Sequence, residues 1–97
     1  MAQDVLNHVY QKYRTMAEYG YHTKEIKKGI LGEFSKIREE FEELEDAYLQ
    51  HDTIMTICEC SDLIGAIKHY VNKYNISLRD LISFNEKTEE AFKIGKR

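Results

Sequence analysis

The chain has no proline and no tryptophan, five glycines and two cysteines in 97 residues. Without proline and with little glycine, nothing in the composition opposes long helices. Alternating β-branched runs bounded by turn dipeptides are missing too, which argues against a sheet. No apolar run approaches the length of a membrane span and no signal-peptide pattern opens the chain, so the expectation is a soluble cytoplasmic protein. Basic residues do not outnumber acidic ones. A net charge of −3 argues against a nucleic-acid binder whose affinity comes from neutralising phosphates. The length allows one domain, over residues 1–97, whose modest core would gain from oligomerisation. Cys58 and Cys60 sit two apart on a predicted helix and so point to different sides. They cannot close a disulfide with each other while helical, and two buried thiols in a reducing compartment are expected.

What is present reads as helix, giving an all-α chain of about four helices. Asp4 caps a first helix over Val5 to Tyr19, with Val5, Val9, Tyr13 and Met16 as its buried stripe and Gly20 at its end. A second helix carries the seam Ile30, Phe34, Ile37, Phe41, Leu44 and Tyr48, whose alternating four and three spacing is that of bundle helices. Gln50-His51-Asp52 makes a turn, and Asp52 or Thr53 caps a third helix over Thr53 to Tyr74. That helix is apolar around most of its circumference and is expected to be central and buried. Gly65 inside it costs about 1 kcal/mol relative to alanine, a cost that close helix approach or another packing contact would explain. Ser77 and Asp80 form a capping box for a fourth helix, which Gly95 terminates.

The acids decide the chemistry. At about 100° per residue, Lys36, Glu40 and Glu43 share one shoulder of the second helix, while Glu39 turns toward solvent in a lone bundle. A Glu-rich helix face is most simply a solvated one. Glu59 and Asp62 resist that explanation, because they are the only acids of a largely apolar helix. If the two helices pack antiparallel across the turn, Glu40, Glu43, Glu59 and Asp62 converge. Such a cluster repels itself unless a hard divalent cation enters. Carboxylates without histidine select Mg²⁺ or Mn²⁺ over zinc. No Glu-x-x-His motif supports a di-iron bundle and no glycine-rich phosphate loop is present. A carboxylate-held Mg²⁺ commonly works on phosphate esters. The basic end of the fourth helix, with Lys87, Lys93, Lys96 and Arg97, suits either the helix dipole or bound phosphates.

Lys36-Ile37-Arg38-Glu39-Glu40-Phe41-Glu42-Glu43-Leu44, followed after Glu43 by fifteen residues and then Glu59-Cys60-Ser61-Asp62-Leu63, resembles the MazG-type all-α nucleoside triphosphate pyrophosphohydrolases. Lys87 to Arg97 resembles the tail of their short, phage-type members. The resemblance implies an antiparallel bundle of about four helices, assembled as a homodimer or homotetramer, in the cytoplasm (that of the host if phage-encoded). It implies Mg²⁺, with Mn²⁺ as a substitute, on Glu40, Glu43, Glu59 and Asp62. It implies hydrolysis of a nucleoside or deoxynucleoside triphosphate to the monophosphate and pyrophosphate, with Glu39 and Glu40 as the catalytic residues. Glu39 would orient or deprotonate the attacking water. Lys36, Asn85, Lys87 and Arg97 would contact phosphate or sugar. Longer relatives carry a glycine where Ser61 stands and often an aromatic residue that holds the base. Here Tyr10, Tyr13, Tyr21 or His22 would take that part. The alternatives are a non-enzymatic helical bundle that serves interaction or regulation, and a related hydrolase of another pyrophosphate-containing nucleotide.

Overall fold

The structure, a computed structural model, describes residues 3–8, 11 and 22–95. The described residues contain helix and no strand, so the chain is all-α as expected. Residues 3–8 and 11 are helical and exposed, Val5 included at 49 %. Val9, Tyr10, Tyr13, Met16, the C-terminal end at Gly20, Tyr21 and Arg97 lie outside the described residues. Three helices follow: α1 (Phe34–Leu49), α2 (Thr53–Asn72) and α3 (Leu78–Lys93). No helix among the described residues is long and apolar enough to cross a membrane.

Each boundary has a local cause. Helix α1 starts later than the apolar pattern suggests, because residues 31–33 form a turn with Gly32 at φ 90°, a conformation that favours glycine. Leu49 is followed by a tight turn in which His51 takes a left-handed φ of 60°. Its amide and that of Asp52 return to the carbonyls of Tyr48 and Ala47. Asp52 then caps α2, its Oδ1 accepting from the Met55 amide at 3.1 Å, an interaction worth about 1 kcal/mol. The Ser77–Asp80 capping box is formed in both directions, with bonds of 2.9 and 3.1 Å. Gly95 closes α3 at φ 71°.

A three-residue turn between two helices in contact makes them antiparallel. Phe34 at the start of α1 meets Tyr70 near the end of α2 edge to face, at 6.2 Å between centroids. At the turn end, Ala47, Met55 and Cys58 are buried together with Ile54 against them. Among the described residues only α1 and α2 pack extensively on each other. The radius of gyration is accordingly 15.6 Å, against about 13 Å for a compact chain of this length.

The pair is polarised in an unexpected sense. The seam residues Ile30, Phe34, Phe41 and Tyr48 are 50–67 % exposed. Ile57 and Ile64 of α2 are exposed as well, so α2 is not buried on most sides within one chain. The buried side chains of α1 are instead Glu39, Glu40, Asp46 and Ala47, and those of α2 are Met55, Cys58, Glu59 and Ala66. Glu39 therefore does not turn toward solvent: it is 3 % exposed. The reason is that residues 22–30 run as an extended strap along the acidic face of α1, covering from above what α2 covers from the side. On the opposite flank the apolar residues line an open groove of about 550 Å³ between Phe34, Ile37, Phe41, Leu63 and Ile67. Two smaller expectations are also corrected. Cys60 is exposed and only Cys58 is buried. A Cβ on Gly65 would meet nothing within 4 Å among the described residues, so no close approach by a described helix explains that glycine.

Candidate metal centre

Helix α1 offers Glu40, Glu43 and Asp46 at successive spacings of three, which keeps them on one side, with Glu39 beside Glu40 at its edge. Helix α2 offers Glu59 and Asp62, again three apart. The antiparallel pairing brings one oxygen each from Glu40, Glu43, Glu59 and Asp62 within 4.8 Å of one another. These are the four residues expected as ligands. Glu40 and Glu59 are buried, Glu43 and Asp62 half-buried.

So many carboxylates in a partly dry volume cannot all stay ionised without a counter-charge. Burial, then the adjoining Glu40 carboxylate, and then the charges of Glu59 and Glu39 push Glu43 up to about 8. Burial and the charges of Glu59 and Glu40 push Asp62 up to about 6, against a smaller pull from Lys36. Lys36 answers part of the charge. Its Nζ lies 3.0 Å from Glu40 and 3.1 Å from Glu39. Although burial lowers its pKa, the hydrogen bonds to Glu40 and Glu39 outweigh that and raise it, so it stays charged. One ammonium does not satisfy the group. Glu40 Oε2 is buried and has no hydrogen-bond partner among the described residues, an arrangement that costs several kcal/mol unless a proton or cation arrives.

The strap supplies what the sequence pattern did not reveal. At its start, Asp46 Oδ2 bonds His22 Nδ1 at 2.9 Å and accepts from the Thr23 amide at 3.0 Å. The Thr23 hydroxyl donates to Oδ1, and the Gln50 amide donates to Oδ2 at 3.0 Å. Burial raises the Asp46 pKa, but these donors outweigh it and leave the carboxyl at about 2. At the other end of the strap, the Gly29 amide donates to Glu39 Oε1 at 2.8 Å, and Lys28 stands 3.7 Å from Oε2. Burial works against Glu39 as well, and the Gly29 bond with Lys36 and Lys28 more than offsets it, lowering the pKa. Glu39 is thus an anchored, ionised carboxylate beside the cluster rather than a member of it. A Cβ on Gly29 would lie 2.3 Å from the Ser35 carbonyl oxygen, so the approach that makes this anchor requires glycine.

His22, expected only as one of the residues that would hold the base, stands directly against the acids. Its Nε2 faces Glu43 at 3.9 Å and Glu59 at 3.8 Å. Asp46 could have been found: it continues the stripe of Glu40 and Glu43 by one further step of three. His22 lies 24 residues from its Asp46 partner, and only the path of the strap joins them.

The residues expected to contact substrate divide. Lys36 is in the centre. Asn85 and Lys87 are exposed on α3, which has no extensive packing on the α1–α2 pair among the described residues. Arg97 lies outside the described residues. A recess of about 410 Å³ instead lies beside Lys36's acids, lined by Lys27, Lys28 and Arg38 together with Glu39 and Glu42. Compared with protein-family models, curated proteins and solved structures, the chain matches none.

Proposed function

We propose that the α1–α2 pair holds a hard divalent cation and hydrolyses a nucleoside or deoxynucleoside triphosphate to the monophosphate and pyrophosphate. The observation that carries the reading is the convergence of four carboxylates, with Glu40 Oε2 buried and without a hydrogen-bond partner other than the neighbouring acids among the described residues. The donor set fits: all four ligands are oxygens, which suits Mg²⁺ and Mn²⁺, and the raised values at Glu43 and Asp62 mark the places where a cation would replace a proton. When bound, such an ion offsets charge on phosphate oxygens and lowers the pKa of an attacking water. The chain's own residues divide the remaining work. Glu40, Glu43, Glu59 and Asp62 hold the ion. Lys36 fixes the Glu40 carboxylate. Lys27, Lys28 and Arg38 line a recess suited to the phosphates that extend beyond the ion. Glu39 has both oxygens engaged and a lowered pKa, which suits anchoring of the strap and Lys36 better than proton abstraction.

The ordered pair Glu40-x-x-Glu43 and Glu59-x-x-Asp62 is what resembles the MazG-type pyrophosphohydrolases. That resemblance supports cleavage between the α and β phosphates. It also supports a dimer or tetramer, in which the exposed apolar faces of both helices would be covered. The test is pyrophosphate release from a panel of canonical and modified nucleotides with Mg²⁺, with Mn²⁺ and with excess chelator. Metal-dependent pyrophosphate with monophosphate as co-product is expected. The double variant Glu59→Gln/Asp62→Asn should fall to the chelator background while its metal-free stability holds or rises. Turnover in that variant equal to wild type would overturn the assignment.

A further inference from the structure

We infer that residues 22–30 form a gate over the cation centre, latched on Asp46 and pivoting at Gly29, and that an ion enters and leaves when the latch opens. The inference rests on the proposed cation centre and adds how that centre is reached. Four observations carry it. First, the strap is fastened to α1 at two carboxylates, Glu39 and Asp46. Along the helix these stand just before and just after the ligands Glu40 and Glu43, so the strap crosses over both ligands.

Second, the two fastenings differ in kind. At the end joined to α1, the Gly29 amide donates to Glu39 at 2.8 Å and the Ile30 amide to Ser35 Oγ at 3.0 Å. Gly29 is pressed so closely on the Ser35 carbonyl that no Cβ fits. This end is fixed by packing and by the short chain to α1, and glycine gives it the backbone latitude of a pivot. The far end is held by hydrogen bonds to a single carboxylate: His22 Nδ1 and the Thr23 amide and hydroxyl all meet Asp46. Bonds that share one partner are made and broken together, which is what a latch requires. Third, little holds the span between the fastenings, where Lys24, Glu25 and Lys27 are exposed. Fourth, the other approaches are obstructed. Helix α2 covers one side. The Lys36 ammonium stands 3.0 Å from Glu40 and close enough to act on Asp62, so a cation arriving along that edge meets a like charge. At the latch, the His22 ring lies 3.9 Å from Glu43 and 3.8 Å from Glu59 and is withdrawn from both when Asp46 lets go.

The strap supplies none of the four ligands, so it governs rate and not affinity. Entry and exit both scale with the fraction of chains whose latch is open, and their ratio stays constant.

The experiment uses the full chain, chelator-stripped. Stopped-flow mixing with Mn²⁺ gives the entry rate, and release of Mn²⁺ into excess chelator gives the exit rate. Native trypsin cleavage after Lys24, Lys27 and Lys28 reads the open population independently of any ion. Thr23→Val removes one hydrogen bond of the latch and should speed entry, exit and cleavage together by about 5-fold, with Kd for Mn²⁺ unchanged. Asp46→Ala removes the shared acceptor and should speed all three by roughly 100-fold; if it does not fold, Thr23→Val carries the test alone. Entry and exit at wild-type rates in Thr23→Val overturn the gate and leave the four-carboxylate centre standing. Faster exit with unchanged entry, and hence weaker binding, overturns it too, because the strap would then be supporting the ligands. No bound Mn²⁺ in the wild type overturns the gate and the cation centre together.

Discussion

With metal removed, the chain should lose stability as pH rises, against the trend of most proteins. Glu43 titrates at about 8 when folded and near its ordinary 4.5 when unfolded; Asp62 titrates at about 6 against 3.8. Burial is the first cause at both, and neighbouring carboxylates are the second. Because both folded values lie above the unfolded ones, the folded chain binds more protons between them. The contribution of each protonated acid is then fully present below its unfolded value and is lost as pH climbs through its folded value, that is, through about 6 and again through about 8. The lowered value of Asp46 has the opposite sign, but its contribution is lost only as pH falls toward about 2, outside this window. Each unit of difference is worth about 1.4 kcal/mol at most. Both groups are half-open to water and the acids share protons, so screening reduces the total to about 2 kcal/mol between roughly pH 5 and pH 9. Urea unfolding followed by circular dichroism in excess chelator measures it. Glu43→Gln should remove the upper part of the decline, and Mg²⁺ should do the same, because it replaces the proton. A flat or rising stability across this range, or an unchanged slope in Glu43→Gln, would refute the crowded-carboxylate argument.

Two backbone positions give independent tests. Gly29→Ala places a Cβ 2.3 Å from the Ser35 carbonyl oxygen, which cannot retreat without unwinding the first turn of α1; a loss of about 3 kcal/mol and release of the strap to protease are expected, and wild-type stability would show that the strap is not anchored there. Gly65→Ala meets open space, so helix propensity alone should add up to about 1 kcal/mol at protein concentrations where the chain is monomeric; destabilisation would show that another surface approaches this glycine.

Local chemistry was the legible part of the fold. The absence of proline, the Asp52 cap, the Ser77–Asp80 box and the turn at Gln50 to Asp52 depend on neighbours a few residues apart, and these appear where the pattern puts them. The convergence of Glu40, Glu43, Glu59 and Asp62 was legible too, because a tight turn leaves an antiparallel pair few ways to meet. Burial was not legible. The seam of Phe34, Phe41 and Tyr48 has bundle spacing, yet spacing states only that an apolar face wants a partner. It does not say that the partner lies within the chain. Glu39 looked solvated because a helical wheel has no strap; its Gly29 and Lys28 partners come from an irregular segment that carries no period. The contact of His22 with Asp46 and the acids was missed for the same reason.

This inversion bears on what the pair is for. A helical hairpin selected for stability alone would place apolar side chains at positions 40, 43, 59 and 62, where the two helices face each other. It has four acids there, a buried oxygen of Glu40 with no partner but its fellow acids among the described residues, and large apolar residues left outside. Replacing buried charges by apolar groups of similar size is commonly neutral or stabilising, so the acids at these positions lower the stability of the metal-free chain. The departures from local rules are also concentrated: Glu40 and Glu43, Glu59 and Asp62, and the glycine that lets the strap approach Glu39 all border one volume. Departures gathered around one volume are the pattern of a binding site rather than of a weak fold. A ligand that relieves them must be positively charged, small enough for a space whose donors stand within 4.8 Å, and content with oxygen from four sides. A divalent cation meets all three conditions, and a protonated side chain such as Lys36 meets them only in part, since it reaches Glu39 and Glu40 alone.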